Sequence, residues 1–447
     1  MATCPEPRAA ATSTRVPSAA ELLAGPPYDA LSAALGGSQR VVGVEAAALG
    51  GGLANQLTRV AATLEGGAPA STPRVLHLAL KAHHEATLTR CAALGTAREA
   101  HFYLHLAPRL AALLPQGALP RCWFAAGDMA TGRKALLLEL AEGGVDSGLV
   151  FGGGSPLNWP RAQAVLAAAA LATPEGAAAS AFRLAALLHG AHWRDGALVA
   201  QRWLRGADWY RPPGGEVPGG GEGEAQFAAA QAQVAAAWGA SLAGEGPSGS
   251  VQWRAEWPEL TALVTASHAR VSWTSWRARC LSTPFTLVHG DFHPGNALLL
   301  AGAGASAGTG GGAGAGGADL RTMLLDWEAV GLGSGPQDLG QYVISHMEPA
   351  VRAGCEQRLL RAYADDVRRA VAASGRGDAA AAAAAADLAW PAVWAEYVAG
   401  GVERWVWLLS MLAGLCPPDM TRFWAAQLHA FARDHGVTPA SVGQPRV

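Results

Sequence analysis

The sequence predicts an α+β protein, with strands concentrated in its first third and helices filling most of the remainder. Three observations carry that expectation. Apolar or alternating runs at 41–48, 57–64, 74–81 and 133–140 have strand length and strand period. Stretches 96–106, 162–173, 179–193 and 351–431 repeat their apolar residues with the period of a helix. A polar turn, Gly290-Asp291-Phe292-His293-Pro294-Gly295-Asn296, separates two further apolar runs and reads as strand, tight loop, strand.

In chain order, the composition of 1–17 predicts no regular structure. Leu22, Leu23, Leu31 and Leu35 flank Gly25-Pro26-Pro27 and predict two short helices. Strands 41–48 and 57–64 enclose a glycine turn, Gly50-Gly51-Gly52. In 74–81, Leu76, Leu78 and Leu80 share one face while His77, Ala79 and Lys81 share the other. Lys81 and Lys134 are the chain's lysines, in a protein that otherwise takes its positive charge from arginine. The helical stripe of 96–106 contains Glu99, Phe102 and Leu106. Strand 133–140 runs into Ala141-Glu142-Gly143-Gly144, a flexible link. Leu184, Leu187 and Leu188 form the buried stripe of 179–193, and His189 reads as packed core. Segments 212–224 and 301–317 are low-complexity and lack the apolar surface to order themselves. The second is expected to be a hairpin extension whose flanking strands stay paired. The helical tail holds an arginine-rich stretch (Arg358, Arg361, Arg368, Arg369), an alanine run, and Trp390, Trp394, Tyr397, Trp405, Trp407 and Trp424. Those aromatics are expected either in the core or, for Trp394 and Trp405, around a substrate.

Asp291 and Asn296 sit on the loop after the strand, and Asp326 follows the apolar run Met323-Leu324-Leu325. An acid, an amide and a second acid at strand ends suit phosphoryl transfer: one carboxylate orients the attacking hydroxyl, and the amide and the other acid hold magnesium. His289, Asp291 and His293 alternate as zinc ligands on one strand would. Pro294-Gly295 breaks such a strand, and no nearby His or Cys completes a site. Asp291 as a plain turn residue leaves the acid Asp326 unexplained in its apolar surroundings.

The motifs His289-Gly290-Asp291-Phe292-His293-Pro294-Gly295-Asn296 and Leu325-Asp326-Trp327-Glu328, with Asp338-Leu339-Gly340 beyond, resemble the aminoglycoside phosphotransferase and choline kinase superfamily. The closest flavour is its ecdysteroid-kinase-like (CHK kinase-like) group. The resemblance implies a bilobal protein-kinase-like fold. It divides the chain into an extension (1–36), a small β-rich lobe (37–141) and a large helical lobe (142–447). It implies ATP and Mg2+ as cofactors and a small-molecule hydroxyl as acceptor. Asp291 would be catalytic, and Asn296, Asp326 and Glu328 would bind metal. Lys81, paired with Glu99, would contact phosphates beneath a turn formed by Gly51, Gly52 and Asn55. Glu139, Leu140 and Ala141 would meet the adenine edge, and Asp338 would brace the loop from below. The alternative is a non-catalytic relative that keeps the fold for binding.

With 33 basic and 35 acidic residues the chain is near neutral, so it lacks the charge of a nucleic-acid groove or an anionic-membrane binder. No long apolar run predicts a membrane span. Six scattered cysteines without a C-x-x-C pair fit a reducing compartment. The first 20 residues hold the Ser, Thr, Ala and Arg of a transit peptide, but Glu6 and early prolines speak against one, so a cytoplasmic location is expected. Oligomeric state is open at this stage.

Overall fold

The computed structural model describes residues 15–37, 40–49, 55–65, 74–211, 223–245, 252–301 and 320–442. The chain divides into two compact units, Met1–Gly144 with Met323–Val330, and Val145–Thr322 with Gly331–Val447. The first is built on a sheet and the second is mainly helical, so the α+β class is as the sequence predicts. The segment Met323–Val330 lies within the stretch expected to form the large lobe, yet it clusters with the first unit.

In the first unit, β1 (Arg40–Ala48), β2 (Asn55–Glu65), β3 (Arg74–His83), β4 (Cys122–Asp128) and β5 (Arg133–Glu139) form an antiparallel sheet of order β1-β2-β3-β5-β4. Strand alternation decides its two faces. Leu78 and Leu80 of β3 and Ala135 and Leu137 of β5 enter a core completed by Val60, Leu64 and, from the short N-terminal helices, Leu22 and Leu31. Ser18 starts the first of those helices through a reciprocal capping box with Glu21. The opposite face carries Lys81, directly across from Leu136, and Lys134, two residues along β5. Because cross-strand partners share a face and side chains alternate, the two lysines are diagonal neighbours. Helix Arg98–His105 lies on β4, where a Cβ added at Gly127 would stand 2.7 Å from Ala100. That close approach lowers the helix onto the lysine face.

In the second unit, β6 (Val145–Asp146), β7 (Thr286–Val288), β8 (Ala297–Ala301), β9 (Leu320–Leu324) and β10 (Gly331–Gly333) are short. They pair as β6-β8-β9 and β10-β7, and β9 runs on into the first unit. The pairing of β8 with β9 matches the expectation for strands flanking the low-complexity segment, which lies outside the described residues. Replacing 301–317 with a short Gly-Ser turn is expected to leave the melting temperature nearly unchanged, because loop-closure entropy changes by only about 0.6 kcal/mol per doubling of length. Unfolding of that variant in a thermal melt would contradict this.

Helices make up most of this unit. The expected helix at 179–193 begins earlier, as Pro174–Ala191, because Thr173 caps the Gly176 N–H and Pro174 takes the first turn. The tail forms Gly335–His346, Pro349–Ala373, Asp378–Asp387, Trp390–Ala413 and Pro418–Asp434. Helices Gly335–His346 and Trp390–Ala413 cross at glycine: a Cβ on Gly340 would stand 2.7 Å from the Gly401 Cα. Trp405, one turn beyond, is 3% exposed and donates its indole N–H to the Gln341 carbonyl at 3.2 Å. It therefore belongs to the core, not to a substrate wall. Trp394 is half-buried and packs at tilted or edge-on angles against Trp390, Tyr397 and His435. Among the described residues, no single helix is long and apolar enough to cross a membrane.

Candidate functional site

Each unit assembles its own group of polar residues. In the first, Lys81 Nζ lies 2.8 Å from Glu99, Asp326 and Glu328 alike. Glu99 is thus the partner of Lys81, as expected, whereas Glu85 turns instead to Arg133 at 2.9 Å. Lys134 joins the same group, 2.6 Å from both Glu99 and Glu328. Asn55, at the start of β2, donates to Glu328 at 2.6 Å. Gly51 and Gly52 lie outside the described residues.

Three carboxylates face two ammoniums here, leaving one formal negative charge. Burial alone would push the Lys81 ammonium toward deprotonation. Glu99, Asp326 and Glu328 overcome that and hold it well above the ordinary lysine value. Phe102 stacks on the fully buried Trp327 with ring centroids 4.0 Å apart, which fixes Asp326 and Glu328 on either side of that indole. Asp326 itself has φ 62° and ψ 67°, in the left-handed region. A non-glycine residue there costs on the order of 1–2 kcal/mol, a strain that marks functional positions.

The expected adenine segment is partly engaged by the sheet. Glu139 exchanges hydrogen bonds with Arg121, and the Leu140 N–H donates to the His77 carbonyl at 3.2 Å. Leu140 therefore offers a ligand no N–H in this arrangement. Ala141 accepts from the Gly144 N–H in the turn that follows.

In the second unit, the loop after β7 is held from beneath. The buried Asp338 carboxylate accepts the His289 N–H at 2.8 Å and the Gly290 N–H at 3.2 Å. His189 shares a hydrogen bond with the Tyr363 hydroxyl at 2.8 Å and stands 3.5 Å from Asp338, which makes it a buried support. Gly290 takes φ 77°, a turn that favours glycine. Beyond it, Asp291 Oδ1 accepts from Gln341 at 2.9 Å, and Asp291 Oδ2 accepts from Asn296 at 3.1 Å. The Asn296 amide nitrogen also donates to the Asp291 carbonyl at 2.9 Å, leaving its Oδ1 as the atom for a cation. His293 stands 3.6 Å from Asp291 Oδ2 and stacks on the buried His346. Burial, with His293 and Arg161 adding repulsion, pushes His346 down to about 3.

Burial works to raise the Asp291 carboxyl. His293, Arg404 and His289 outweigh it and hold the group well below the usual carboxylate range. Such a carboxylate stays ionised and is a weak proton abstractor, suited to orienting a hydroxyl. His289, Asp291 and His293 do not converge as metal ligands. Among the described residues, the acids whose oxygens lie close enough to share a cation are Glu99, Asp326 and Glu328, all within 4.8 Å. Glu99 is 1% exposed and closed in by both ammoniums, while the Asp326 side chain is 41% exposed and offers a free edge. Asp326 and Glu328 are hard-oxygen donors of the kind magnesium takes.

Lys134, Gln341 and Arg404 were not legible as site residues. Signals existed for all three. Lys134 is the other lysine of a lysine-poor chain, Gln341 follows Asp338 by one helical turn, and Arg404 is a charge within an apolar helix.

No protein-family model matches the chain, and none of the curated proteins matches it. Among solved structures, it is similar to a choline/ethanolamine kinase family protein from Mesorhizobium loti, at 15% identity over 87% of this chain and 93% of that one, with a TM-score of 0.31. It is also similar to an ethanolamine kinase from Plasmodium vivax, at 10% identity over 87% of this chain and 81% of that one, with a TM-score of 0.41. At these values neither likeness decides an activity.

Proposed function

We propose that the chain is a small-molecule kinase that moves the γ-phosphoryl group of ATP to an acceptor hydroxyl. The observation that carries this reading is Lys81, fixed 2.8 Å from both the buried Glu99 and the strained Asp326. A lysine oriented by a helix glutamate beside a metal-type acid is the arrangement phosphate charge requires. The loop of the second unit supports the same reading, with Asp291 kept ionised and its two oxygens aimed by Asn296 and Gln341. Asp291 orients the acceptor hydroxyl. The acceptor oxygen bonds to phosphorus as the phosphorus–oxygen bond to ADP breaks, the bond electrons leave with ADP, and the hydroxyl proton passes to solvent. Asp326 and Glu328 of the first unit would hold magnesium, which when bound neutralises charge on the phosphates.

The test is metal-dependent nucleotide binding. Asp326→Asn keeps a residue that tolerates the left-handed backbone and removes the charged ligand. It is expected to weaken ATP binding in magnesium by roughly tenfold or more while leaving metal-free binding nearly unchanged. Equal ATP affinity with and without magnesium in the unaltered protein would refute the role.

A further inference from the structure

The charges around Asp291 bear on which alcohol it receives. Arg404, in helix Trp390–Ala413, donates Nη2 to the Gly290 carbonyl at 2.7 Å and Nε to the Gln341 side-chain oxygen at 3.3 Å. Both acceptors are neutral. Asp291 Oδ1 is 3.8 Å away, beyond hydrogen-bond distance. Since a guanidinium has five N–H donors, Arg404 keeps donors beside the reacting carboxylate.

A second arginine is held by its backbone on the strand next to β7. Arg205 forms a parallel bridge with Gly331 of β10, and its carbonyl accepts the Leu332 N–H at 2.8 Å. Gly331 in turn pairs with Val288 of β7, three residues before Asp291. A Cβ on Gly331 would stand 2.7 Å from the Arg205 Cβ, so glycine is what lets Arg205 lie on this strand. Among the described residues the Arg205 side chain makes no ion pair; its guanidinium stands 5.9 Å over the Trp209 ring.

The acids a cationic acceptor would need are already taken. Glu396 and Glu403, on the same helix as Arg404, both pair with Arg279. Asp208 pairs with Arg211 at 2.7 Å.

We infer that the acceptor is an alcohol carrying an anionic group, a carboxylate or a phosphate, gripped by Arg205 and Arg404 beside Asp291. Two arginines that repel one another, one of them without a counter-ion among the described residues, favour an incoming anion. Burial and the neighbouring Arg205 push the Arg404 guanidinium down to about 10 against the pull of Asp291 and Asp338, a repulsion an anion would relieve. The inference rests on the kinase reading for its reaction, though not for its binding.

The experiment compares glycerate, glycerol 3-phosphate, glycerol, ethanolamine and choline as acceptors with ATP and magnesium, and measures each by calorimetry in parallel. Glycerate or glycerol 3-phosphate should show kcat/KM at least about tenfold above the neutral and cationic alcohols, and which of the two leads identifies the anion. Arg205→Gln should raise KM for the anionic acceptor roughly tenfold with a much smaller change in kcat, and Arg205→Lys should recover part of the loss. Preference for ethanolamine or choline overturns the inference. If no compound is phosphorylated, the kinase reading fails for this panel and calorimetry still decides. Binding of either anion that Arg205→Gln weakens sustains the anion site. Absence of binding, or binding that the substitution leaves unchanged, removes it.

Discussion

Replacing Asp291 with alanine is expected to lower turnover by roughly 10²-fold or more while ATP binding persists, since a positioned acid–base or orienting group contributes about 10²–10⁴-fold. The loop should survive the change, because Asp338 holds the His289 and Gly290 amides and Arg404 holds the Gly290 carbonyl independently of Asp291. The variant therefore separates chemistry from folding: kcat should collapse, with the nucleotide affinity close to that of the unaltered chain and the protein still folded, its melting temperature lowered only by what the ionised carboxylate contributes. Near-normal turnover would remove Asp291 from the reaction. The pH profile adds a second check. A carboxyl held below its usual range contributes stability above its unfolded value near 4 and loses it as pH falls through its lower folded value. Between pH 8 and 5 Asp291 thus stays ionised, and any acid limb of kcat there must come from another group. Its removal should lower the whole profile without moving that limb.

Lys134→Met is expected to destabilise the protein strongly. Lys134 is fully buried and closes Glu99 and Glu328 together, so its loss leaves three carboxylates facing one ammonium. Removing one partner of a buried ion pair typically costs about 3–5 kcal/mol. For a unit of this size each kcal/mol shifts the midpoint by roughly 2–4 °C, so the melting temperature should fall by roughly 6–20 °C. A shift of only a degree or so would show that water reaches the cluster and screens it. Methionine preserves the stem volume, so a large drop reports on charge and not on a cavity.

How far the sequence reached follows from what each element depends on. The strands of the first unit, the loop at Asp291 and the acid after β9 were legible because alternation, a proline-glycine break and an acid in apolar surroundings are local signals. Lys81 and Glu99 were legible as a pair through the family resemblance, which joined a strand face and a helix face that periodicity had each exposed. Lys134 was not, because its place in the cluster depends on the β3–β5 register, which sets it diagonal to Lys81. Gln341 and Arg404 meet only because two helices cross at Gly340 and Gly401, a contact without local periodicity. Trp405 was ambiguous for the same reason: helical spacing gives a face, and the neighbouring helix decides whether that face is core.

The confinement of both lysines to one cluster gives the chain an unusual reactivity. Lys134 is fully buried and the Lys81 side chain is 13% exposed, so amine-directed reagents and lysine-specific proteases find almost no side-chain target on the native surface, where arginine carries the positive charge. Each side-chain amine label that does attach therefore records an opening of the first unit. Labelling rates at Lys81 and Lys134 read out local unfolding of the cluster directly, with no engineered probe and no background from other side-chain amines.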